Sequence, residues 1–429
     1  MTPRAPEVAP WRGRLVVLAG VVLVGLNLRI AVAAVSPILD VMREDVALTS
    51  AQVGLLGTIP VVSFALFGSL ASPVARRLGL EPTMVVALLL SAAGEVLRAG
   101  ATSPTAFLTW SVVALAGMGA GNVLLPPLVK RYFPDRIGPV TAAYSVCLSV
   151  STAVPPLVSL PLAQAAGWRW SVGVWAAVGV AAAVPWVLVI VRSVAARAHL
   201  HELVRRSPGA ARGAPPGGEA GAARLVWRSG LAWAMAVTFG MNSLGTYTVF
   251  AWLPQVLADA GLGTQAGGRW LALFAILGLP ASLVAPVLTA RMRSPYRLVV
   301  AFASCWAVGY AGLLLAPAHG TVVWMVLLGV GPSTFPVLLA LIGLRTATPA
   351  LAVVLSGMVQ GVGYAIAALG PVGVGVLYEA TGSWDVPLVV LLGLLGVLVV
   401  AARRACRPEI LGAPARVGDG LGGSPTLDR

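Results

Sequence analysis

Twelve apolar runs, each long enough to cross a bilayer, divide this chain of 429 residues. A transmembrane helix needs about 20 mostly apolar residues, whereas the strands of a membrane barrel alternate over about 10 residues. The composition agrees, because 58% of the residues are hydrophobic and 10% are charged, against roughly 25% charged in soluble domains. The sequence therefore predicts an all-α membrane protein with twelve transmembrane helices. The predicted spans are 15–39, 51–72, 82–101, 104–128, 137–160, 170–191, 230–254, 268–290, 297–316, 321–344, 351–378 and 385–402.

The basic residues are distributed unevenly between the loops. If both termini are cytoplasmic, 24 of the 29 Lys and Arg residues fall in cytoplasmic segments, four lie near the outer side, and Arg29 lies inside a span. Such an excess marks the cytoplasmic loops of membrane proteins. We expect a multi-pass protein of the bacterial inner (cytoplasmic) membrane with both termini in the cytoplasm. Because these charges punctuate apolar runs and form no single patch, they predict no nucleic-acid partner.

The first span has a competing interpretation as a cleaved signal peptide. Arg4, Arg12 and Arg14 precede an apolar stretch that reaches Ala-Val-Ala at 31–33, which imitates a cleavage site. The apolar run continues to about Leu39, however, and we expect the span to be retained.

Two blocks of six spans flank residues 192–229, a stretch rich in Gly, Pro and Arg without apolar periodicity, which is typical of a flexible polar linker. The predicted organisation is an N-terminal six-helix bundle (1–191), a cytoplasmic linker (192–229), a C-terminal six-helix bundle (230–405) and a flexible cytoplasmic tail (406–429). A shift of 215 residues pairs Gly25 with Gly240, Asn27 with Asn242, Arg76 with Arg291, Lys130 with Arg345 and Pro134 with Pro349, and a shift of 216 pairs Pro155 with Pro371 and Trp168 with Trp384. The order of these matches predicts a parallel repeat, with a binding site between the halves.

Three strings are distinctive: GLNLRIAVAAVSPIL (25–39), GNVLLPPLVKRYFP (121–134) and SGMVQGVGYAIAALGP (356–371). Through them the chain resembles the major facilitator superfamily (MFS), and more narrowly its cyanate/2-nitroimidazole transporter branch, from about residue 12 to 405. The resemblance implies two pseudo-symmetric six-helix bundles and the import or export of a small organic solute that is anionic or bears a nitro group. One loop departs from the superfamily pattern: in GSLASPVARRLGLE (68–81), Ser72 and Pro73 stand where an acidic residue is expected, while Arg76 and Arg77 keep the basic part.

Arg29 is the leading candidate for substrate binding. An arginine at the centre of a span costs roughly 2.5–3.5 kcal/mol on insertion scales, so it needs a partner. Its planar fork of N–H donors suits a negative or dipolar group, and first helices line the cavity in the plan that the resemblance implies. The alternative is a structural arginine that caps backbone carbonyls or pairs with a buried acid.

Polar residues near the middle of other spans are further candidates. Asn27 and its repeat partner Asn242 are as compatible with interhelical hydrogen bonding as with substrate contact. Gln360 and Tyr364 lie four residues apart and share one helix face. The full set of predicted substrate-binding residues is Arg29, Asn27, Asn122, Tyr144, Asn242, Tyr247, Gln360 and Tyr364. Glu95 and Arg98 have the spacing of a local pair near the outer surface, with a proton-coupling role for Glu95 as the alternative.

These features predict a secondary active transporter that works by alternating access, with a midplane site formed by the first, fourth, fifth, seventh, tenth and eleventh spans. A drug or metabolite efflux pump of the same fold is an alternative. A membrane enzyme or sensor is disfavoured, since the sequence contains no HExxH motif and no acidic metal cluster, and we expect neither catalytic residues, metal nor cofactor. The expected partners are a small-molecule substrate and the lipid bilayer, with a proton or other coupling ion left open, and the expected state is a monomer.

Overall fold

The computed structural model describes residues 14–43, 45–192, 216–262 and 264–413, and long helices dominate them. The first span consists of Leu15–Asn27, Ile30–Ala33, a 3₁₀ turn at Ser36–Ile38, and Leu39–Arg43. The second to sixth are Ser50–Leu78, Leu80–Ala99, Pro104–Tyr132, Ile137–Ala166, and Trp168–Gly173 continued by Ala176–Arg192. The seventh to ninth are Gly230–Leu257, Thr264–Arg291 and Tyr296–Leu315. The tenth is Thr321–Val330 and Thr334–Leu344 around a 3₁₀ turn at Gly331–Ser333, and the last two are Pro349–Thr381 and Asp385–Ala405.

Local sequence signals set where these helices begin and end. Ser103 accepts a hydrogen bond from the backbone N–H of Ala106, and Thr348 accepts one from Leu351; a proline occupies the first position of each following helix. These are strong N-terminal signals, because side-chain caps satisfy otherwise unpaired N–H groups. At the other end of the second span, Gly79 adopts a φ of 95°, which favours glycine, and ends the helix.

Eleven spans in the described part of the chain are long and apolar enough to cross a membrane. The remaining one, Gly230–Leu257, has 28 residues but carries Asn, Ser, Thr and Tyr between positions 242 and 248. It packs against the eighth, eleventh and twelfth spans, and Asn242, Ser243 and Thr248 are buried. A span whose polar residues face protein can be less apolar than one that faces lipid.

The two halves share one packing plan. The first span packs against the fifth and sixth, and the third against the fourth and sixth; in the second half the seventh packs against the eleventh and twelfth, and the ninth against the tenth and twelfth. Gly25 lies against Tyr144 and Cys147 of the fifth span, and its repeat partner Gly240 lies against Ile366 of the eleventh. These equivalent contacts agree with two pseudo-symmetric bundles in parallel relation.

In each half, a tryptophan donates a hydrogen bond to an aspartate at the face opposite the linker. Asp45 accepts a hydrogen bond from Nε1 of Trp168 at 2.8 Å and another from Arg169. Asp259 accepts one from Nε1 of Trp384 at 2.8 Å. The two tryptophans begin the sixth span and immediately precede the twelfth, so the pairs are equivalent in the repeat. Hydrogen bonds from Trp168 and Trp384 hold the pKa values of the two carboxyl groups below their ordinary range.

Part of the predicted linker is a helix, Pro216–Trp227, although the sequence suggested no regular structure there. Its EAGAARL segment is rich in strong helix formers. The helix packs against the eleventh span, and Val226 is fully buried. Residues 193–215 lie outside the described residues.

The beginning of the predicted flexible tail is also held in place. Cys406 is buried, and the backbone N–H of Leu411 donates to the carbonyl oxygen of Arg345 at 2.9 Å. The N–H of Ala347 in turn donates to the carbonyl oxygen of Leu411 at 3.0 Å. Residues 406–413 are therefore anchored by backbone pairing to the loop before the eleventh span, and the rest of the predicted tail lies outside the described residues.

Candidate functional site

Arg29 lies where the first span breaks. The helix that begins at Leu15 ends at Asn27, and a new short helix begins at Ile30. Arg29 adopts φ −124° and ψ −7°, outside the helical range. Its side chain is half-buried. Interrupted helices are tolerated at membrane depth where the irregular backbone is buried in protein or lines a cavity.

The guanidinium of Arg29 reaches across to the second half of the molecule. Nη1 donates a hydrogen bond to the hydroxyl oxygen of Tyr247 at 3.3 Å, and Nη2 donates to that of Tyr364 at 3.1 Å. The tyrosines belong to the seventh and eleventh spans. Hydrogen bonds from a charged donor are stronger than neutral ones, so these two contacts link the halves at this depth.

Phenylalanine rings surround the same guanidinium. Its central carbon lies 5.0 Å from the ring centre of Phe64 and 5.9 Å from that of Phe335. The ring of Phe239 lies 5.1 Å from that of Tyr364 and 5.3 Å from that of Phe335. Desolvated cation–π contacts contribute about 2 kcal/mol, which offsets much of the roughly 2.5–3.5 kcal/mol cost of a buried arginine. We call Arg29, Phe64, Phe239, Tyr247, Phe335 and Tyr364 the Arg29 cluster.

The cluster presents donors in apolar surroundings. Each tyrosine hydroxyl accepts from Arg29 and still has its own proton to donate. Phe64, Phe239 and Tyr364 are fully buried, whereas Arg29, Tyr247 and Phe335 are half-buried. A few directed polar groups in an otherwise apolar site are typical of small-molecule binding. Here they suit the oxygen atoms of a small anion or nitro group, with flat faces of the aromatic rings beside them.

Between the Arg29 cluster and the linker, polar contacts join the halves. The Ser72 hydroxyl donates to the carbonyl oxygen of Val353 at 2.9 Å, and that of Ser356 donates to the carbonyl oxygen of Val123 at 2.6 Å. Nε2 of Gln360 donates to the carbonyl oxygen of Asn122 at 3.1 Å. We call these contacts the linker-side seal. They pull the second and fourth spans against the eleventh.

The eight predicted site residues divide into three groups. Arg29, Tyr247 and Tyr364 come together in the Arg29 cluster, while Asn122 and Gln360 meet in the linker-side seal. Asn27, Tyr144 and Asn242 lie elsewhere within the bundles. Nδ2 of Asn27 donates to the Ser91 hydroxyl of the third span at 3.2 Å. This contact favours interhelical hydrogen bonding over substrate contact as the role of Asn27. Tyr144 and Asn242 are buried at 1% and 2% exposure, and among the described residues neither side chain is hydrogen-bonded to Arg29, unlike Tyr247 and Tyr364.

Three phenylalanines of the cluster were not predicted. Phe64 brings in the second span, which the predicted site omitted, and Phe239 and Phe335 come from the seventh and tenth. A phenylalanine within a span suits lipid, core and binding site equally well, and so gives no signal in one sequence. Pro332, which lies within the 3₁₀ turn of the tenth span, is the local sequence feature that could have pointed to Phe335.

A buried polar site between two parallel six-helix bundles defines a class of membrane transporters. The chain belongs to the Major Facilitator Superfamily, whose family model matches residues 18–371. It is 34% identical over 390 residues to the 2-nitroimidazole transporter of Escherichia coli K12, covering 90% of this chain and 94% of that protein. It is 27% identical over 367 residues to the cyanate transport protein CynX of the same organism, covering 85% and 90%.

Solved structures agree on the fold. The structure of the proton:xylose symporter XylE bound to 6-bromo-6-deoxy-D-glucose matches with a TM-score of 0.72 over 92% of this chain and 97% of that one, at 14% identity. Similarity at this identity concerns the fold alone. The family resemblance and the fold predicted from the sequence are confirmed, and the chain is a multi-pass membrane transporter.

Proposed function

We propose that this chain is a secondary active transporter that moves a small planar organic solute, anionic or bearing a nitro group, across the cytoplasmic membrane by alternating access. The observation that carries the proposal is the guanidinium of Arg29, supplied by one half and bonded to the hydroxyls of Tyr247 and Tyr364 in the other. A solute at this point would touch both halves at once, as alternating access requires.

Binding would exchange one set of acceptors for another. Two acceptor atoms of the solute would take the places of the two tyrosine hydroxyls on Nη1 and Nη2 of Arg29, and the hydroxyls would then donate to the same acceptors. The names of the relatives, 2-nitroimidazole and cyanate transporters, fit such chemistry, since a nitro group offers two partly negative oxygens and cyanate offers an oxygen and a nitrogen that share its negative charge. A cationic drug would meet the charge of Arg29, which disfavours the efflux of cationic compounds.

The linker-side seal supports a state that is closed on the linker side. The excess of basic residues there favours a cytoplasmic location for that side, and the contacts of Ser72, Ser356 and Gln360 join the halves there. The half-buried Arg29 then lies on the outer side of the seal. Inward opening would break these three hydrogen bonds and separate the second and fourth spans from the eleventh.

Counterflow in proteoliposomes tests this function. Vesicles loaded with unlabelled 2-nitroimidazole, or separately with cyanate, should take up the labelled compound without ATP. Arg29→Gln should lower the initial rate at least tenfold, equivalent to about 1.4 kcal/mol. Arg29→Lys should retain part of the rate, because it keeps the charge but loses the planar fork. Arg169→Gln, which removes an exposed charge at the face opposite the linker, should show the same rate as the wild type. Unchanged counterflow in Arg29→Gln would refute the assignment.

A further inference from the structure

Glu95 and Arg98 of the third span form a second buried polar site, separate from the Arg29 cluster. Their exposed fractions are 0% and 1%, so the local pair that the sequence places near the outer surface is buried in protein. Both carboxyl oxygens of Glu95, and Nε and Nη2 of Arg98, have no hydrogen-bond partner in the described part of the chain. A carboxylate buried without hydrogen bonds is strongly penalised, and it relieves the penalty by binding a proton.

The surroundings of Glu95 leave Arg98 as its electrostatic partner among the described residues. Around Arg98, the first span contributes the backbone of Ala31, and the fourth contributes Phe107, whose ring centre lies 5.8 Å from the Arg98 guanidinium carbon. The other ionisable residues on the packed elements are bonded elsewhere or lie at the linker end. Arg29 contacts the tyrosines, Arg169 pairs with Asp45, and Arg131 pairs with Glu81. The residues in the last helical turns on the linker side are Arg76, Arg77, Lys130, Tyr132 and Arg192.

Arg98 connects this site to the break at Arg29. Its Nη1 donates a hydrogen bond to the carbonyl oxygen of Ala31 at 3.0 Å. Ala31 lies in the short helix Ile30–Ala33 that starts directly after Arg29. An ionised Glu95 attracts Arg98 and competes for its donors, whereas a neutral Glu95 leaves those donors to Ala31. The charge of Glu95 therefore acts on the segment that sets the position of Arg29.

We propose that Glu95 is the proton-binding site through which a pH gradient drives transport, and that Arg98 is the positioning residue that relays its charge state to the first span. The inference rests on the proposed transport function. In each cycle the Glu95 carboxylate takes one proton from water on one side of the membrane and becomes a neutral acid. It returns that proton to water on the other side, and nothing is oxidised or reduced.

The proton site can be tested without any solute. Infrared difference spectra of the wild-type protein in liposomes, recorded between about pH 5 and about pH 9, should contain the C=O stretching band of a carboxylic acid that disappears on deprotonation. Glu95→Gln should lack this band. Glu81→Gln is the matched control: Glu81 is buried in the same span but is bonded to Tyr132 at 2.6 Å, and its variant should keep the band. The proposal is overturned if the wild-type spectrum contains no carboxylic-acid band that is absent from the spectrum of Glu95→Gln.

Gradient-driven uptake tests the coupling. With labelled 2-nitroimidazole, a pH gradient should drive accumulation in the wild type and in Glu81→Gln. Glu95→Gln should lose accumulation but keep counterflow, and Glu95→Asp should restore part of the accumulation. Accumulation by Glu95→Gln at the wild-type level overturns the proposal.

Absence of counterflow in the wild type would count against the transport function instead, and the infrared spectra would still decide the proton site. If Glu95→Gln does not reach the membrane, Glu95→Asp replaces it in the infrared experiment. The pH at which half of the carboxylic-acid band has disappeared should then differ from that of the wild type, and an unchanged midpoint contradicts the assignment to Glu95.

Discussion

Arg29 combines two features that are costly separately. A broken helix leaves backbone groups without their usual partners, and an arginine within a span must be paired. Here the break directs the side chain toward the second half, where Tyr247 and Tyr364 accept its hydrogen bonds and Phe64 stacks near its face. Lysine, a point charge on a flexible stem, could not reproduce the two directed bonds and the ring contact together.

The tyrosine hydroxyls should contribute to affinity individually. Tyr247→Phe and Tyr364→Phe keep the ring packing but remove one hydrogen-bonding group each. Each variant should bind 2-nitroimidazole roughly tenfold more weakly, which corresponds to about 1.4 kcal/mol. Isothermal titration of the purified variants checks this. Tyr310→Phe is the control, because Tyr310 is a buried tyrosine of the ninth span that packs on Trp306, outside the Arg29 cluster; if it weakens binding equally, the loss is not specific to the site.

Polar members of the site could be predicted from the sequence, and apolar ones could not. Arg29, Tyr247 and Tyr364 stand out because charge and hydroxyl groups within an apolar run require an explanation. Asn27 looks equally significant in the sequence, but it lies in the helix that ends before the break and bonds to Ser91 inside its own half. Phe64, Phe239 and Phe335 carry no such signal, since only the fold brings Phe64 and Phe335 to the guanidinium and Phe239 against Tyr364 and Phe335.

At the scale of elements, every predicted span overlaps a helix or a broken pair of helices of the structure. Hydropathy finds the hydrocarbon-spanning part well, but the helices extend past it; the second span, predicted at 51–72, reaches Leu78. The breaks at Arg29 and at Gly331–Ser333 were not predictable from hydropathy, because the residues on either side of each break are apolar enough to form one continuous hydropathy peak. The helix Pro216–Trp227 was not predicted, because the Gly and Pro content of residues 192–229 and the absence of apolar periodicity there both indicate a flexible linker.

The paired aspartates at the face opposite the linker predict a pH effect on stability. Hydrogen bonds from Trp168 and Trp384 lower the pKa values of Asp45 and Asp259, so their ionised forms stabilise the fold above the ordinary aspartate pKa of about 3.9. That stabilisation is lost as the pH falls through the lowered values. Asp45→Asn combined with Asp259→Asn should therefore lower the apparent Tm at neutral pH, and its Tm should converge with that of the wild type as the pH falls through the lowered pKa values.

Thermal unfolding in detergent at several pH values measures this. Glu379→Gln removes an exposed carboxylate at the same face and should leave the pH dependence unchanged. A difference in Tm between the double variant and the wild type that persists undiminished in acid would show that the two carboxylates do not act through their charge.

For the whole molecule, Ser72 provides a contact between the halves at the position where the superfamily pattern has an acidic residue, in the loop after the second span. Its hydroxyl bonds to the carbonyl oxygen of Val353 in the other half, and Gly357 lets the eleventh span approach it so closely that a Cβ there would overlap Ser72. A neutral hydrogen bond of this kind contributes about 0.5–1.5 kcal/mol. The linker-side seal is therefore composed of several weak contacts, which suits a joint that must open in every cycle.

A larger side chain at the linker-side seal should separate the two halves there. Gly361 lies against Ser69 of the second span, so Gly361→Leu should wedge the halves apart on the linker side. A reporter cysteine at the buried Ser356, in a variant without native cysteines, should then react several-fold faster with a membrane-impermeant maleimide applied from the linker side. Gly373→Leu, on the same span with open space around it, is the matched control. Equal labelling of both variants would show that the seal does not close this side.

The most direct measurement is the distance between the two halves, recorded by electron-spin resonance with one label pair at the linker side and another at the opposite face. Adding 2-nitroimidazole to the wild type should shift the populations at both faces in opposite directions, because the solute replaces the bonds from Arg29 to Tyr247 and Tyr364. In Arg29→Gln the solute should leave both distributions unchanged. The same shift in Arg29→Gln as in the wild type would contradict a transport cycle centred on Arg29.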